Sequence, residues 1–207
     1  PGHMRSYKKA FQNQFKAIIE INNCDIFIST SNLISDWVGE ELIVEEKEIK
    51  DIEQEAKQVY GKLLKGLIID LEENSEKIWP SPNQWSRLAK CNEMRKQYEK
   101  ENNFEYDAVI RCRTDLVFDR GIKIDKDSLS DDKIFLFPHN DHRIPIHDQF
   151  AYGNSKAMDV YCKFIDVWLQ RDVGGRSEEQ LFLWLRKNEM NLNHIENTRF
   201  VMLRGKK

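Results

Sequence analysis

Apolar residues follow two spacings along this chain, and the two spacings alternate. Short runs of β-branched and aromatic residues, which are typical of buried strands, occur at 24–30 (CDIFIST), 65–71 (KGLIIDL), 133–138 (KIFLFP) and 148–153 (DQFAYG). Between these runs, apolar residues return every three or four positions, which is the period of a helix with one buried side. The alternation of the two spacings predicts an α/β fold.

N-capping residues and prolines predict where the helices begin. One helix follows Ser6, a suitable N-cap, and a mostly solvated helix is predicted within 39–64. After a break at Pro80, Ser81 and Pro82 begin a third helix. Its inward side is formed by Trp85, Leu88, Cys91, Met94 and Tyr98. Later helices are predicted over 158–168 and after a capping box from Ser177 to Gln180, and two short strands follow at 192–196 and 199–204. We expect residues 1–207 to form one Rossmann-like domain, with a mixed, mostly parallel central sheet flanked by helices.

The segment 106–118 (YDAVIRCRTDLVF) reads as a strand with two unlike faces. Ala108, Ile110, Cys112 and Leu116 fall on one face, and Val109, Arg111, Arg113 and Asp115 fall on the other. The charges accumulate toward the carboxyl end of the strand, where open α/β sheets bind their ligands, so Arg113 and Asp115 are placed at a candidate site. The alternative is an edge strand with one solvated face, whose arginines neutralise neighbouring carboxylates.

Charge and cysteine usage narrow the function classes. The formal net charge is −3 and the two signs are interspersed, which argues against a nucleic-acid partner. No apolar run is long enough to span a bilayer and no signal-peptide pattern begins the chain, so a soluble, cytoplasmic protein is expected. The four cysteines have no metal-type spacing, which favours buried, reduced thiols over zinc or disulfides. Residues 1–4 (PGHM) are typical of residues that recombinant expression leaves behind.

Four segments, taken in order, resemble a known family. They are GHMRSY at 2–7, CDIFIST, the WSRL helix at 85–88 with YDAVIRCRTDL, and DQFAYGNSKAM followed by SEEQLFLWL at 177–185. Together they resemble the small nucleotide-sugar glycosyltransferases of the GT-A fold that assemble bacterial surface polysaccharides and viral glycans. Length and architecture are also similar to the compact glycosyltransferases that large algal viruses carry to decorate their capsid protein.

The resemblance implies a reaction and a cofactor. A sugar would pass from a nucleotide-diphosphate donor, UDP-linked by preference, to a glycan or glycoprotein acceptor, in the host cytoplasm if the protein is viral. Mn²⁺ or Mg²⁺ would neutralise the diphosphate, with Asp115 as protein ligand, because hard cations prefer carboxylate and phosphate oxygens. The family's D-x-D signature reads R-T-D here, so Arg113 replaces the first carboxylate. That arginine could pair with Asp115 or bind phosphate through its planar fork.

The resemblance also implies further site residues. Gly2, Arg5 and Ser6 would form a loop that binds the nucleotide, and Arg87 would face the nucleotide from its helix, with a solvated basic residue as the alternative for Arg87. Asp148 would face the acceptor or the sugar, and its use as a general base depends on the stereochemistry of transfer.

Two segments rich in histidine or glutamate have explanations that need neither a metal nor catalysis. The histidines between His139 and Asp148 could suggest a metal, but a polar surface loop is the default. Glu178 and Glu179 suit the first turn of a helix regardless of function.

Two other functions stay open. A sugar-nucleotidyltransferase shares the fold class, although its first loop usually has more glycines than GHMRS. A non-catalytic GT-A-like interaction domain is the other alternative, because the first carboxylate of the signature is missing.

Overall fold

The computed structural model describes residues 7–38, 41–71, 80–139, 146–168 and 176–203. The helices are α1 (Tyr7–Gln14), which continues as a π-helix (Phe15–Ile19), α2 (Ile49–Tyr60), α3 (Pro80–Asn102), α4 (Ser155–Cys162), α5 (Phe164–Trp168) and α6 (Ser177–Lys187). The strands are β1 (Ile26–Ser31), β2 (Leu33–Val38), β3 (Glu41–Glu46), β4 (Leu64–Asp70), β5 (Val109–Cys112), β6 (Leu116–Phe118), β7 (Lys133–Pro138), β8 (Ile146–Gly153), β9 (Asn191–His194) and β10 (Phe200–Met202).

The α/β class is confirmed, but the expectation of a mostly parallel sheet is wrong. Among the described strands, only the pairs β1–β4 and β7–β9 are parallel. The pairs β2–β3, β5–β8, β6–β10 and β7–β8 are antiparallel. The seven residues 139–145 between β7 and β8 are too few for the helical crossover that a parallel connection needs, so these neighbours form an antiparallel pair.

The largest sheet runs in the order β5-β8-β7-β9 and is covered on both faces. One face packs on α3 to α6, with Trp85, Ile134, Met158 and Leu181 fully buried. The other face packs on the π-helix and the pair β6–β10, around Phe118 and Phe150. A separate core, which includes Tyr7, Ile28 and Ile52, joins α1 and α2 to the pair β1–β4.

The helix predicted within 39–64 is shorter than expected. Only Ile49–Tyr60 is α-helical, and the residues before it form the antiparallel hairpin of β2 and β3. The run ELIVEE at 41–46 contains β-branched Ile43 and Val44, and its pairing with β2 overrides the helical period of the charged residues that follow.

The segment 106–118 is not one strand, as the sequence predicted. It divides into β5 and β6, with a turn at Thr114 and Asp115. The predicted apolar face is nevertheless confirmed, because all four of its residues (Ala108, Ile110, Cys112 and Leu116) pack in the core with Phe118 and Phe150. Val109 packs against the opposite core, as the alternation requires.

Within the described residues, none of the helices combines the length and the hydropathy that a membrane span requires.

Candidate functional site

The turn after β5 is built around an ion pair between Arg113 and Asp115. The Arg113 Nε donates to Asp115 Oδ1 at 2.9 Å, and Arg113 Nη2 donates to Oδ2 at 2.7 Å. Asp115 is 2% exposed, and the Arg113 side chain keeps 22% of its surface. The backbone is fixed as well, since Leu203 N donates to the Asp115 carbonyl at 2.8 Å and the Gln14 side chain donates to the Arg113 carbonyl at 3.0 Å. The pair is therefore held by several hydrogen bonds, and part of the Arg113 side chain is exposed to solvent.

The charge on Arg113 is stabilised by two carboxylates. Burial alone would lower the pKa of Arg113, but the hydrogen bonds and charge of Asp115, with a contribution from Asp148, raise that pKa above its usual value. The pairing of β5 with β8 brings Asp148 close to Arg113, because Arg113 N donates to the carbonyl of Gln149, the residue after Asp148.

Arg111 is a second buried arginine on the same strand. Its side chain is 2% exposed and Nη1 donates to the carbonyl of Gln149, the acceptor that Arg113 N also uses. Arg111 Nε and Nη2 have no hydrogen-bond partner among the described residues, and neither has Gln149 Oε1. A buried guanidinium with unused donors requires an acceptor, and a carboxylate or phosphate suits its planar fork. The edge-strand alternative is partly right: among the described strands, β5 is at the edge of its sheet, but its face at Arg111 is buried and not solvated.

Asp148 lies in a buried polar setting between three elements. It is 5% exposed, and its Oδ2 accepts a hydrogen bond from Gln84 Nε2 at 2.8 Å. Ser177 Oγ lies 3.4 Å from the same oxygen, and Tyr161 Oη donates to the Asp148 carbonyl at 3.2 Å. These contacts tie strand β8 to α3, α4 and the start of α6, and they fix the direction of the carboxylate.

The start of α6 differs from the predicted capping box. The helix begins at Ser177, with Arg176 as N-cap and no side-chain capping bond. The Ser177 hydroxyl lies within reach of Asp148 and 3.2 Å from Glu178 Oε2, so it is engaged at the site. Glu178 thereby becomes a neighbour of Asp148 through Ser177.

Arg87 lies one helical turn beyond Gln84 on α3. It is 2% exposed, so the alternative of a solvated basic residue is wrong. Its Nε lies 3.8 Å from Oδ2 of Asp70, the last residue of β4, and Lys90 also pairs with that carboxylate. Helix α3 thus presents polar side chains to the ends of two different sheets.

Two histidines flank the site. The rings of His139 and His147 have centroids 4.3 Å apart, and His147 also contacts Phe200. Burial lowers the pKa of His147, the nearby charge of His139 lowers it further, and Asp148 opposes them. At neutral pH this arrangement favours an uncharged His147 beside Asp148.

The structure brings together some of the predicted site residues. Arg113, Asp115 and Asp148 form one cluster, and Arg87 lies on the helix that also contacts Asp148. Gly2, Arg5 and Ser6 lie outside the described residues. Sequence reasoning missed the site contacts of Gln84, Gln149, Tyr161 and Ser177. For Gln84 a signal existed, since it shares a helix face with Arg87 at spacing i, i+3.

The fit of a divalent cation depends on Asp115. Among the residues that the structure describes, no group of three or more His, Cys, Asp or Glu side chains is arranged to hold a metal ion. Both oxygens of Asp115 accept hydrogen bonds from Arg113, so a cation at Asp115 has to displace the guanidinium. A cation that takes most of its ligands from a substrate diphosphate and water needs only one or two protein carboxylates, and Asp115 can supply one.

No protein-family model matches this chain, and a comparison with curated proteins finds no match either.

Proposed function

We propose that this chain is a glycosyltransferase that uses a nucleotide-diphosphate sugar, UDP-linked by preference, and a glycan or glycoprotein acceptor. The observation that carries the proposal is the pair of arginines at the carboxyl end of β5, where two buried donors of Arg111 find no partner among the described residues and Arg113 pairs with Asp115. A departing nucleoside diphosphate carries several negative charges, and preorganised guanidinium groups stabilise such charge where it develops.

Arg113 and Asp115 have linked roles in this proposal. The Arg113 side chain, which is 22% exposed, would bind a phosphate while Asp115 orients its planar fork. Mn²⁺ or Mg²⁺, if bound, would be held by Asp115 and would neutralise diphosphate charge as a Lewis acid. Arg111 then supplies a further positive charge from the strand beneath.

Asp148 is the residue proposed to face the acceptor. Gln84 and Ser177 contact one of its oxygens, Oδ2, so the carboxylate is held in one direction. An inverting reaction would use this carboxylate as the general base that takes the proton of the acceptor hydroxyl, which requires hydrogen-bonding distance between them.

One screen tests the function. The melting temperature of the protein is measured with UDP and with UDP-sugars, each with Mn²⁺ and with excess chelator, and released UDP is assayed in parallel. At one hundred times the dissociation constant a ligand stabilises the folded state by about 2.7 kcal/mol. We expect stabilisation by UDP in the presence of Mn²⁺ and slow release of UDP from a donor sugar. Release of pyrophosphate instead would identify a sugar-nucleotidyltransferase.

A non-catalytic interaction domain is the second candidate, and one contact favours it. The bidentate hydrogen bonds from Arg113 occupy the carboxylate that the metal would use. In that case the same screen gives no stabilisation by any nucleotide and no UDP release.

A further inference from the structure

Four aromatic rings contact one another in a closed circle near the starts of β1 and β5. This aromatic circle consists, in order of contact, of Phe27, Tyr98, Phe104 and Tyr106. Neighbouring ring centroids lie between 4.8 and 6.2 Å apart, and neighbouring planes meet at angles between 69° and 85°. Each contact is therefore close to edge-to-face, which places the positive edge of one ring against the negative face of another. The circle brings four π-systems together in one small region of the fold.

One ring of the aromatic circle is open to solvent. Phe104 is 41% exposed, whereas the other three rings are half-buried. It is the most exposed of the Phe, Tyr and Trp side chains whose burial the structure describes. Burial of an aromatic ring is strongly favourable, so an exposed ring beside three others indicates a contact surface for a ligand.

Open space adjoins the aromatic circle. Phe27, Phe104 and Tyr106 line part of a cavity of about 680 Å³, and Ile21 and Ile26 line it beside them. Ligand pockets in proteins commonly have volumes of about 300–1,000 Å³ and mostly apolar walls with a few polar groups. The space beside the rings is therefore large enough for a small organic molecule.

Carboxylates surround the aromatic circle. Tyr106 Oη donates to Asp25 Oδ2 at 2.6 Å, and this hydrogen bond to a charged acceptor polarises the phenol and makes its ring more electron-rich. Tyr106 N donates to Glu99 Oε1 at 2.9 Å. Glu105 and Asp107, on either side of Tyr106 in the chain, are both exposed. A cation beside these rings would meet negative charge as well as negative ring faces.

The described basic side chains near these carboxylates do not cover the rings. They form ion pairs instead: Lys65 with Asp25, Arg95 with Glu99 and Lys126 with Asp107. In the described part of the chain, the cation–π contact is the one between Lys8 and Tyr7, which lies outside the aromatic circle. A cation at the circle therefore has to come from a ligand.

We propose that the aromatic circle binds a small organic molecule that carries a quaternary ammonium group. Cations are attracted to the faces of aromatic rings when they lie within about 6 Å of the ring centroid. A quaternary ammonium has no N–H group, so it gives up no hydrogen bonds to water when it moves between rings, unlike a primary ammonium or a guanidinium. The circle lies near the starts of β1 and β5, whereas Arg113 and Asp115 follow the end of β5, so the inference does not depend on the glycosyltransferase proposal.

Two probes of the same shape test the ligand class on the unmodified protein. Choline carries a quaternary ammonium, and 3,3-dimethyl-1-butanol has a neutral carbon in place of that nitrogen. Calorimetric titration and ligand-observed NMR measure the binding of each probe. We expect choline to bind about tenfold more tightly than the neutral probe, which corresponds to about 1.4 kcal/mol, and tetramethylammonium to displace it. Equal affinity for the two probes, or no binding of choline, would show that the proposal is wrong.

Phe104→Leu separates ligand binding from folding. Leucine keeps an apolar side chain at this exposed position but removes the aromatic face. We expect the affinity for choline to fall about fivefold while the melting temperature changes by less than about 2 °C. Leu183→Ala, at another exposed apolar position on α6, is the matched control and should bind choline like the unmodified protein.

Tyr106→Phe tests the contribution of the carboxylate. This variant keeps the ring and removes the hydrogen bond to Asp25, so we expect a smaller loss of choline affinity than in Phe104→Leu. If Phe104→Leu and Tyr106→Phe both bind choline as tightly as the unmodified protein, the four rings only pack against one another and the proposal is refuted.

Discussion

Both carboxylate oxygens of Asp115 accept hydrogen bonds from the guanidinium of Arg113, at 2.9 and 2.7 Å, in the turn that ends β5. The two residues are separated in sequence only by Thr114, so the pair closes a tight local loop. Because Asp115 is almost fully buried, the ion pair with Arg113 stabilises its charge. A ligand that binds one of the two residues in place of its partner must therefore also neutralise the charge of the other residue.

The substitution Asp115→Asn separates the structural role from the ligand role. The asparagine side chain would keep the shape but remove the carboxylate that pairs directly with Arg113. We therefore expect a loss of about 3 kcal/mol in unfolding free energy, together with loss of Mn²⁺-dependent stabilisation by UDP. Denaturant unfolding and calorimetric titration with Mn²⁺ and UDP measure the two effects. Asp51→Asn, at an exposed position of α2, is the matched control. A destabilised Asp115→Asn protein that binds Mn²⁺ and UDP normally would make Asp115 purely structural.

Arg113→Lys keeps the positive charge and removes the planar fork. A lysine can donate to only one oxygen of Asp115 at a time in this geometry, so we expect weaker donor binding, by roughly tenfold, and a smaller loss of stability than in Asp115→Asn. The tenfold change corresponds to about 1.4 kcal/mol of binding free energy. UDP titrations at fixed Mn²⁺ measure it, and unchanged affinity and turnover would assign Arg113 to the structure alone.

Local sequence patterns predicted the faces of the strands well. The apolar face around Ile110 and Cys112 packs as expected, and strands occur at all four of the β-branched runs. These features depend on the period of the side chains, which neighbouring residues determine. The break after Cys112 does not depend on this local period. It is fixed by Gln14, which donates to the carbonyls of Arg113 and Leu116 from 99 and 102 residues away.

Charged residues were the least predictable part of the chain. Arg87 and Arg95 have the sequence context of solvated helix residues, yet both are buried. Their partners, Asp70 and Asp159, lie on other elements, so no local pattern reveals the pairs. The order of strands in the large sheet also depends on long-range pairing, and the alternation of elements alone wrongly suggested a mostly parallel arrangement.

His147 gives the protein an acid-sensitive element. Burial lowers its pKa in the folded state below the ordinary value of 6.5, so the unfolded chain takes up a proton first as the pH falls. The stabilisation from a neutral His147 is complete above about pH 6.5 and is lost as the pH falls through the folded-state pKa. Melting curves between about pH 7 and pH 5 should show a shallower loss of stability in His147→Gln than in the unmodified protein. His194→Gln removes an exposed histidine and is the control. Parallel profiles for His147→Gln and the unmodified protein would contradict the prediction.

Arg95 lies at the centre of a buried polar network that belongs to the scaffold. Its Nη1 donates to both oxygens of Glu99 at 2.8 Å and to Ser155 Oγ at 2.9 Å, while Nη2 donates to Asp159 at 2.6 Å. Arg95→Met keeps much of the length of the side chain but leaves two carboxylates without their cation, and we expect a loss of about 3–5 kcal/mol in unfolding free energy. Lys96→Met, next to it on α3 and paired only at the surface with Glu93 among the described residues, should cost less than about 1 kcal/mol.

The readout that separates a scaffold role from a binding role is the nucleotide response of the folded fraction. Below its melting temperature, Arg95→Met should still be stabilised by UDP and Mn²⁺ as much as Lys96→Met, because none of the described contacts of Arg95 reaches Arg113, Asp115 or Asp148. Adding Glu99→Gln to Arg95→Met should restore part of the lost stability, since the double variant removes one of the unpaired charges. An Arg95→Met protein as stable as Lys96→Met but unresponsive to UDP would place Arg95 in the binding site instead of the scaffold.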